Sequence, residues 1–206
     1  MIGRKDNLIL KTVAMTIVIL MVICGLPCMQ DNAGTIETCK VFYVPFKVSE
    51  RQAYPTFQKR CTGSYGEYRR TRVAGHRHAG VDLRGSSGEQ VFAVGAGRVA
   101  YRYWFFPNET VAIEHRLPGG EKIYSVYTHI ADIGVNPDDP VDENTMIGRL
   151  FNSVELKKAR FSFPHVHFEI RKSMEDMGRS SYTSMSKKEL DQFCIDPRIF
   201  FRSHLK

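Results

Sequence analysis

The sequence predicts a mainly β domain, an antiparallel sheet or sandwich closed by short C-terminal helices. From about Gly75, short runs rich in β-branched and aromatic residues alternate with glycine-bearing turns. Two helix-start signals follow near the carboxyl end. The length of 206 residues leaves room for one domain of ordinary size plus short appendages.

The strand-like runs are Gln90 to Val94, Arg98 to Phe105, Thr110 to His115, Lys122 to Ile130 and Val166 to Ile170. Gly95-Ala96-Gly97 reads as a tight hairpin turn, and Pro118-Gly119-Gly120 as another. Ser186 with Glu189 makes a capping box that should start a helix through about Phe193. Asp196-Pro197 pairs a cap with a first-turn proline, which opens a second short helix. Residues 35–70 are polar and turn-rich, and read as a linker or loosely structured lead-in.

At the amino terminus Arg4, Lys5 and Lys11 precede an apolar run of 18 residues, Thr12 to Met29. A basic flank before such a run is an export signal, and both a cleaved signal peptide and an uncleaved anchor fit it. The expected organisation is therefore 1–30 as signal peptide or N-terminal membrane anchor, 31–74 as linker and 75–206 as the folded domain. Such a chain works outside the cytoplasm, secreted or held by a single membrane pass, in a periplasm, cell envelope or extracellular space. Cys39 and Cys61 flank a loop-rich stretch and can pair in an oxidising compartment.

A hydrophobic content of 43% and a charged content of 25% exclude a disordered chain. The net charge of +7 favours an anionic partner, such as nucleic acid, a membrane surface or an acidic polymer, and does not by itself choose among them. No nucleic acid is expected, because the chain carries an export signal and no recognition motif.

The histidines carry the chemistry. His78-Ala-Gly-Val-Asp82 is one group and His165-Val-His167 the other. Residues two apart on a strand share a face, so His165 and His167 project together while Val166 and Phe168 point to the core. A catalytic zinc site takes three protein ligands and leaves a fourth position for water. His78, Asp82 and His167 supply such a set, with Gly80 letting the backbone turn between the first two. His129 and His165 are the candidate proton carriers. His115 and His204 lie outside this spacing and read as structural, and His76 as a non-ligand, because a fourth protein ligand would displace the water. Glu169 shares the face of His165 and His167, where it either orients a ligating imidazole or sits solvated at an edge.

The segments HAGVDL, VFAVGAGRV, YSVYTHI and HVHFEI, in this order, resemble the lysostaphin-like zinc metallopeptidases that cleave bacterial cell-wall peptides. The resemblance covers roughly Arg77 to Lys172. It implies a mostly antiparallel β metallopeptidase domain with zinc on His78, Asp82 and His167, assisted by His165 and His129. The implied activity is that of a zinc endopeptidase hydrolysing peptide cross-links of peptidoglycan. A secreted binding or signalling module with the same fold and zinc but no cleavage is the alternative. The chain departs from the family between Asn152 and Phe163, where a glycine-rich turn is usual and a bulkier, more basic segment stands here. A glycine-bridge specificity is therefore not carried over. Tyr127 matches an aromatic position of the family to which no role is assigned.

Overall fold

Strand-period alternation builds the main sheet and decides which side chains meet at its surface. In this computed structural model, which describes residues 36–70, 76–175 and 186–206, the strand richest in histidine is His165–Arg171. Val166, Phe168 and Ile170 point into the core, while His165, His167, Glu169 and Arg171 take the opposite face. The apolar run at the amino terminus lies outside the described residues. Among the described residues no helix is long and apolar enough to cross a membrane.

In chain order the elements are α1 (Tyr54–Arg60), β1 (Tyr68–Arg69), β2 (His76–Arg77), β3 (Val81–Arg84), β4 (Gln90–Phe92) and β5 (Gly97–Tyr103). There follow β6 (Thr110–Arg116), β7 (Lys122–Thr128), β8 (Ile130–Ala131), β9 (Pro140–Val141) and β10 (Met146–Leu150). The last are α2 (Ser153–Ala159), β11 (His165–Arg171), α3 (Lys187–Phe193), β12 (Cys194–Ile195) and α4 (Pro197–His204).

Six strands run in the order β12-β11-β7-β6-β5-β9, and β3 joins the sheet by pairing with β11. A three-stranded sheet, β4-β10-β8, and a two-stranded ribbon, β1-β2, complete the strands. Every pairing between them is antiparallel, as expected. Pro118-Gly119-Gly120 closes the β6–β7 hairpin, and Gly120 takes the φ of +84° that favours glycine. Gly95-Ala96-Gly97 does not close a hairpin: β4 pairs with β10, while β5 pairs with β6 and β9, so this turn carries the chain between two sheets.

The core explains a second difference. Phe42, Val44, Phe46 and Phe57 from the expected linker are buried in one cluster with Val81, Leu83, Val111, Ile113, Phe168 and Phe201. The segment as a whole is polar and turn-rich, but Val41 to Phe46 (VFYVPF) is an apolar run, and burying each aromatic removes about 150–250 Å² from water. Phe57 and Phe201 lie ring to ring at 4.4 Å, which ties α1 to α4. Cys39 and Cys61 are not joined; each thiol faces a nearby carbonyl, of Val41 and Phe57 respectively.

The helices follow their caps. Ser186 and Glu189 form the expected capping box at α3, and the Asp196 carboxylate accepts from the Arg198 amide at the start of α4. A further helix, α2, occupies the departure segment. Asn152 accepts from the amides of Val154 and Glu155, and Glu155 returns a bond to the Asn152 amide. Arg149 also grips Glu155 through two contacts of 2.7 and 2.9 Å. At the other end Arg160 takes a left-handed φ of 60°, which turns the chain so that Phe161 points back toward β11.

Candidate metal centre

Register places the first three histidine and aspartate side chains. In the ladder between β3 and β11, His167 lies opposite Asp82, and directly opposed residues on antiparallel strands share a face. His78 reaches the same point from the turn before β3. The turn needs Gly80 for a different reason than expected. Its φ is not left-handed; a Cβ there would instead run into the Phe168 carbonyl and come within 3.1 Å of Glu169 Cγ.

His78 Nε2 stands 2.9 Å from His167 Nδ1 and 3.1 Å from Asp82 Oδ1, and His167 Nδ1 is 3.4 Å from Asp82 Oδ1. All three side chains are buried, at 3%, 6% and 9% exposure for His78, Asp82 and His167. Ligands about 2.1 Å from a tetrahedral ion stand about 3.4 Å apart, so this triangle, with edges of 2.9, 3.1 and 3.4 Å, is slightly smaller than one tetrahedral face and needs only a small spread to match it. Two imidazole nitrogens and one carboxylate oxygen are also the donors zinc prefers. Among the described residues this is the group whose donors converge in this way. His76, on β2, is not part of it.

Each donor is oriented from behind. His78 Nδ1–H donates to the Ser64 carbonyl at 2.9 Å, which leaves Nε2 as the lone-pair nitrogen facing the centre. His167 Nε2–H donates to Glu169 Oε1 at 2.8 Å, leaving Nδ1 inward. Glu169 Oε2 is held in turn by Arg171 at 2.9 Å. Glu169 is thus the orienting residue rather than a solvated edge residue, and it is buried at 3% exposure. Asp82 Oδ2 accepts from Arg69 at 2.7 Å.

The electrostatics follow from these partners. Burial alone would raise the Asp82 carboxyl, but the neighbouring His167 and His78 hold it well below the usual carboxylate range. Burial would likewise raise Glu169, yet His167 and Arg171 bring it to about 2. Burial opposes charge on His167, but its bonds to Asp82 and Glu169 prevail and lift it to about 9. His78 is lowered, chiefly by burial.

Beside this triangle lie His129 and His165, with ring centroids 5.4 Å apart; His129 is 6.2 Å from the His167 ring. His129 follows the end of β7 with a φ of +68°, a left-handed backbone that costs a non-glycine residue about 1 kcal/mol. Its Nδ1–H donates to the Pro107 carbonyl at 2.6 Å, and His165 Nδ1–H donates to the Phe163 carbonyl at 3.0 Å. Both rings therefore present Nε2 as the unprotonated nitrogen. Burial, then the neighbouring His165, push His129 down to about 3, and burial lowers His165. Phe161 packs edge-on against His129 at 4.7 Å and lies 5.1 Å from His165, while Phe163 flanks His165 at 5.1 Å.

His115 and His204 are held by contacts away from the triangle. His115 is fully buried, with Nδ1–H on the Ala96 carbonyl and Nε2 2.7 Å from Ser125 Oγ. Ser125 contacts the Tyr127 hydroxyl, which also accepts from the Val94 amide. Tyr127 thus anchors the turn after β4 to β7, which gives it a structural role. His204 stacks on Phe200 at 4.0 Å within α4. Arg69, Ser64 and Arg171 escape sequence reading because their contacts bridge distant segments. Arg171 alone leaves a trace, as the next same-face residue after His165, His167 and Glu169.

Residues 76–180 match the sequence profile of Peptidase family M23, about half of the chain. No curated protein matches the chain. Among solved structures, the catalytic domain of the antimicrobial peptidase lysostaphin from Staphylococcus simulans is 19% identical, with a TM-score of 0.50 over 73% of this chain and 98% of that one. A zinc-containing peptidase from Vibrio cholerae is 23% identical, with a TM-score of 0.46, and the match covers 64% of this chain but 37% of that one. The prophage-encoded M23 protein EnpA from Enterococcus faecalis is 20% identical, with a TM-score of 0.44 over 66% and 87% of the two chains. At these identities the likeness is one of fold.

Proposed function

This chain belongs to peptidase family M23, and from that membership we propose that it is a zinc endopeptidase that hydrolyses peptide cross-links of peptidoglycan outside the cytoplasm. The observation that carries the proposal is the pairing of a zinc-sized donor triangle with two neutral, carbonyl-anchored histidines at its side. A module that only bound its partner would have no use for that second pair.

His78 Nε2, Asp82 Oδ1 and His167 Nδ1 would hold the ion, and Glu169, Ser64 and Arg69 keep those atoms aimed at one point. When bound there, zinc supplies a Lewis acid that acidifies water and polarises a scissile carbonyl. His165 and His129 move the protons. Each accepts at Nε2, because Nδ1–H is committed to a backbone carbonyl. Burial disfavours the resulting imidazolium, so the proton passes on readily to the departing amine. Phe161 and Phe163 shield the pair from bulk water and form an apolar wall where a glycine-rich turn is usual.

Anionic cell-wall polymer suits the net charge of +7, and the residues before 31 act as its signal peptide or anchor. Incubating the chain with cell-wall sacculi, with and without a chelator, tests the function. The expected result is released peptides with new amino termini, seen by mass spectrometry and abolished by chelation. Sacculi bound but left uncut would contradict it.

A further inference from the structure

We propose that Arg69 is a positioning residue that holds Asp82 to a single metal-facing oxygen and so keeps the centre four-coordinate. The inference rests on the zinc reading above. Its starting point is the unequal surroundings of the two carboxylate oxygens. Oδ1 faces His78 Nε2 at 3.1 Å and His167 Nδ1 at 3.4 Å, whereas Oδ2 accepts from the Arg69 guanidinium at 2.7 Å. A carboxylate can hold a cation through one oxygen or two. A catalytic zinc with three protein ligands needs the one-oxygen mode to keep a position for water. A charge-assisted bond to Oδ2 engages the second oxygen and leaves Oδ1 as the donor.

Arg69 is itself fixed. Its strand β1 pairs with β2, with Arg69 opposite His76, two residues before the ligand His78. The segment before it wraps the back of the ligands through backbone bonds: the Thr62 amide donates to the Asp82 carbonyl, the Gly66 amide to the His78 carbonyl, and the His78 amide to the Glu67 carbonyl. Gly63 makes room for this approach, since a Cβ there would fall 2.6 Å from Asp82 Oδ2 and 3.0 Å from His78 Cε1. Arg198 of α4 clamps the same segment through the Gly63 carbonyl and Ser64 Oγ, each at 3.2 Å. The guanidinium of Arg69 also lies 3.5 Å from Glu67. Both buried carboxylates of the centre are thus tied to an arginine, Asp82 to Arg69 and Glu169 to Arg171. Arg69 and Arg198 both lie outside the stretch matched by the family profile, 76–180.

Cobalt(II) in place of zinc reports coordination number through its visible absorption, since four-coordinate cobalt absorbs far more strongly than five-coordinate cobalt. The full chain, Arg69→Ala and Arg69→Lys would be loaded with cobalt and their spectra compared at equal metal content. The expected result is an intense four-coordinate spectrum for the parent. Arg69→Ala should show bands weakened severalfold and moved to shorter wavelength as Oδ2 joins the metal, and Arg69→Lys should restore the parent spectrum. A parent-like spectrum in Arg69→Ala would overturn the proposal while leaving the zinc reading intact. A parent that binds no cobalt would overturn both. If Arg69→Ala loses the metal outright, Arg69→Lys decides: an intense four-coordinate spectrum supports the proposal, and any other spectrum or none rejects it.

Discussion

Two groups of histidines lie within one site, and what stands behind each ring separates them. His167 is backed by a carboxylate, Glu169, and His78 by the Ser64 carbonyl, and both turn their other ring nitrogen toward Asp82. His129 and His165 are backed only by carbonyls and walled by Phe161 and Phe163. On the proposed reading the same side chain would serve as a metal donor in one place and as a neutral proton carrier a few ångströms away. Before an ion binds, bonds to the Asp82 and Glu169 carboxylates outweigh burial and lift His167 to about 9, whereas His129 has no hydrogen-bonded carboxylate and falls to about 3. A metal at Nδ1 would displace the proton that His167 holds there.

The largest break in this comparison comes from the donor triangle. His78→Ala or His167→Ala should abolish peptide release, a fall of roughly 1,000-fold or more, because several kcal/mol of transition-state stabilisation leave with the ion. A steady-state assay on sacculi checks this, and a variant that kept the parent rate would refute the assignment. Next in size, His165→Ala and His129→Ala should each slow turnover by ~100-fold or more while leaving metal affinity near the parent value. Titration against a chromogenic chelator separates the two effects. Glu169→Gln sharpens the comparison by weakening the partner rather than the ligand. It should cost about 10- to 100-fold in zinc affinity, measured by the same titration.

The smallest expected effect concerns His115, the buried histidine with no chemical role. Burial pushes it down to about 4, below the unfolded value near 6.5. The unfolded chain therefore takes up a proton first, so the stability His115 contributes is complete above pH 6.5 and is lost as pH falls toward 4. Between pH 7 and pH 5.5 the loss should be about 1 kcal/mol in urea unfolding. His115→Gln should lack that increment; an equal pH slope in both proteins would reject the attribution.

Much of this was legible in the sequence for identifiable reasons. The β class and the β6–β7 hairpin follow from local signals, namely strand-period runs and Pro118-Gly119-Gly120. His165 and His167 could be placed on one face because the strand period is strict, and the same rule put Glu169 beside them. The rest depended on contacts between segments far apart. Helix α2 is masked by the bulk and charge of its segment, although Asn152 and Glu155 spell a capping box. The linker reading failed for Phe42, Phe46 and Phe57, whose burial depends on β-strands and α4 well downstream. Arg69 was visible only as part of a basic cluster, because nothing local tells that its partner is Asp82.

The most direct test of the two-group account is the zinc content of His165→Ala and His167→Ala, purified identically and measured by mass spectrometry of the metal. The account predicts about one zinc per chain in His165→Ala, as in the parent, and none in His167→Ala. Equal zinc in the two variants, whether full or absent, would contradict the division between donor and proton carrier.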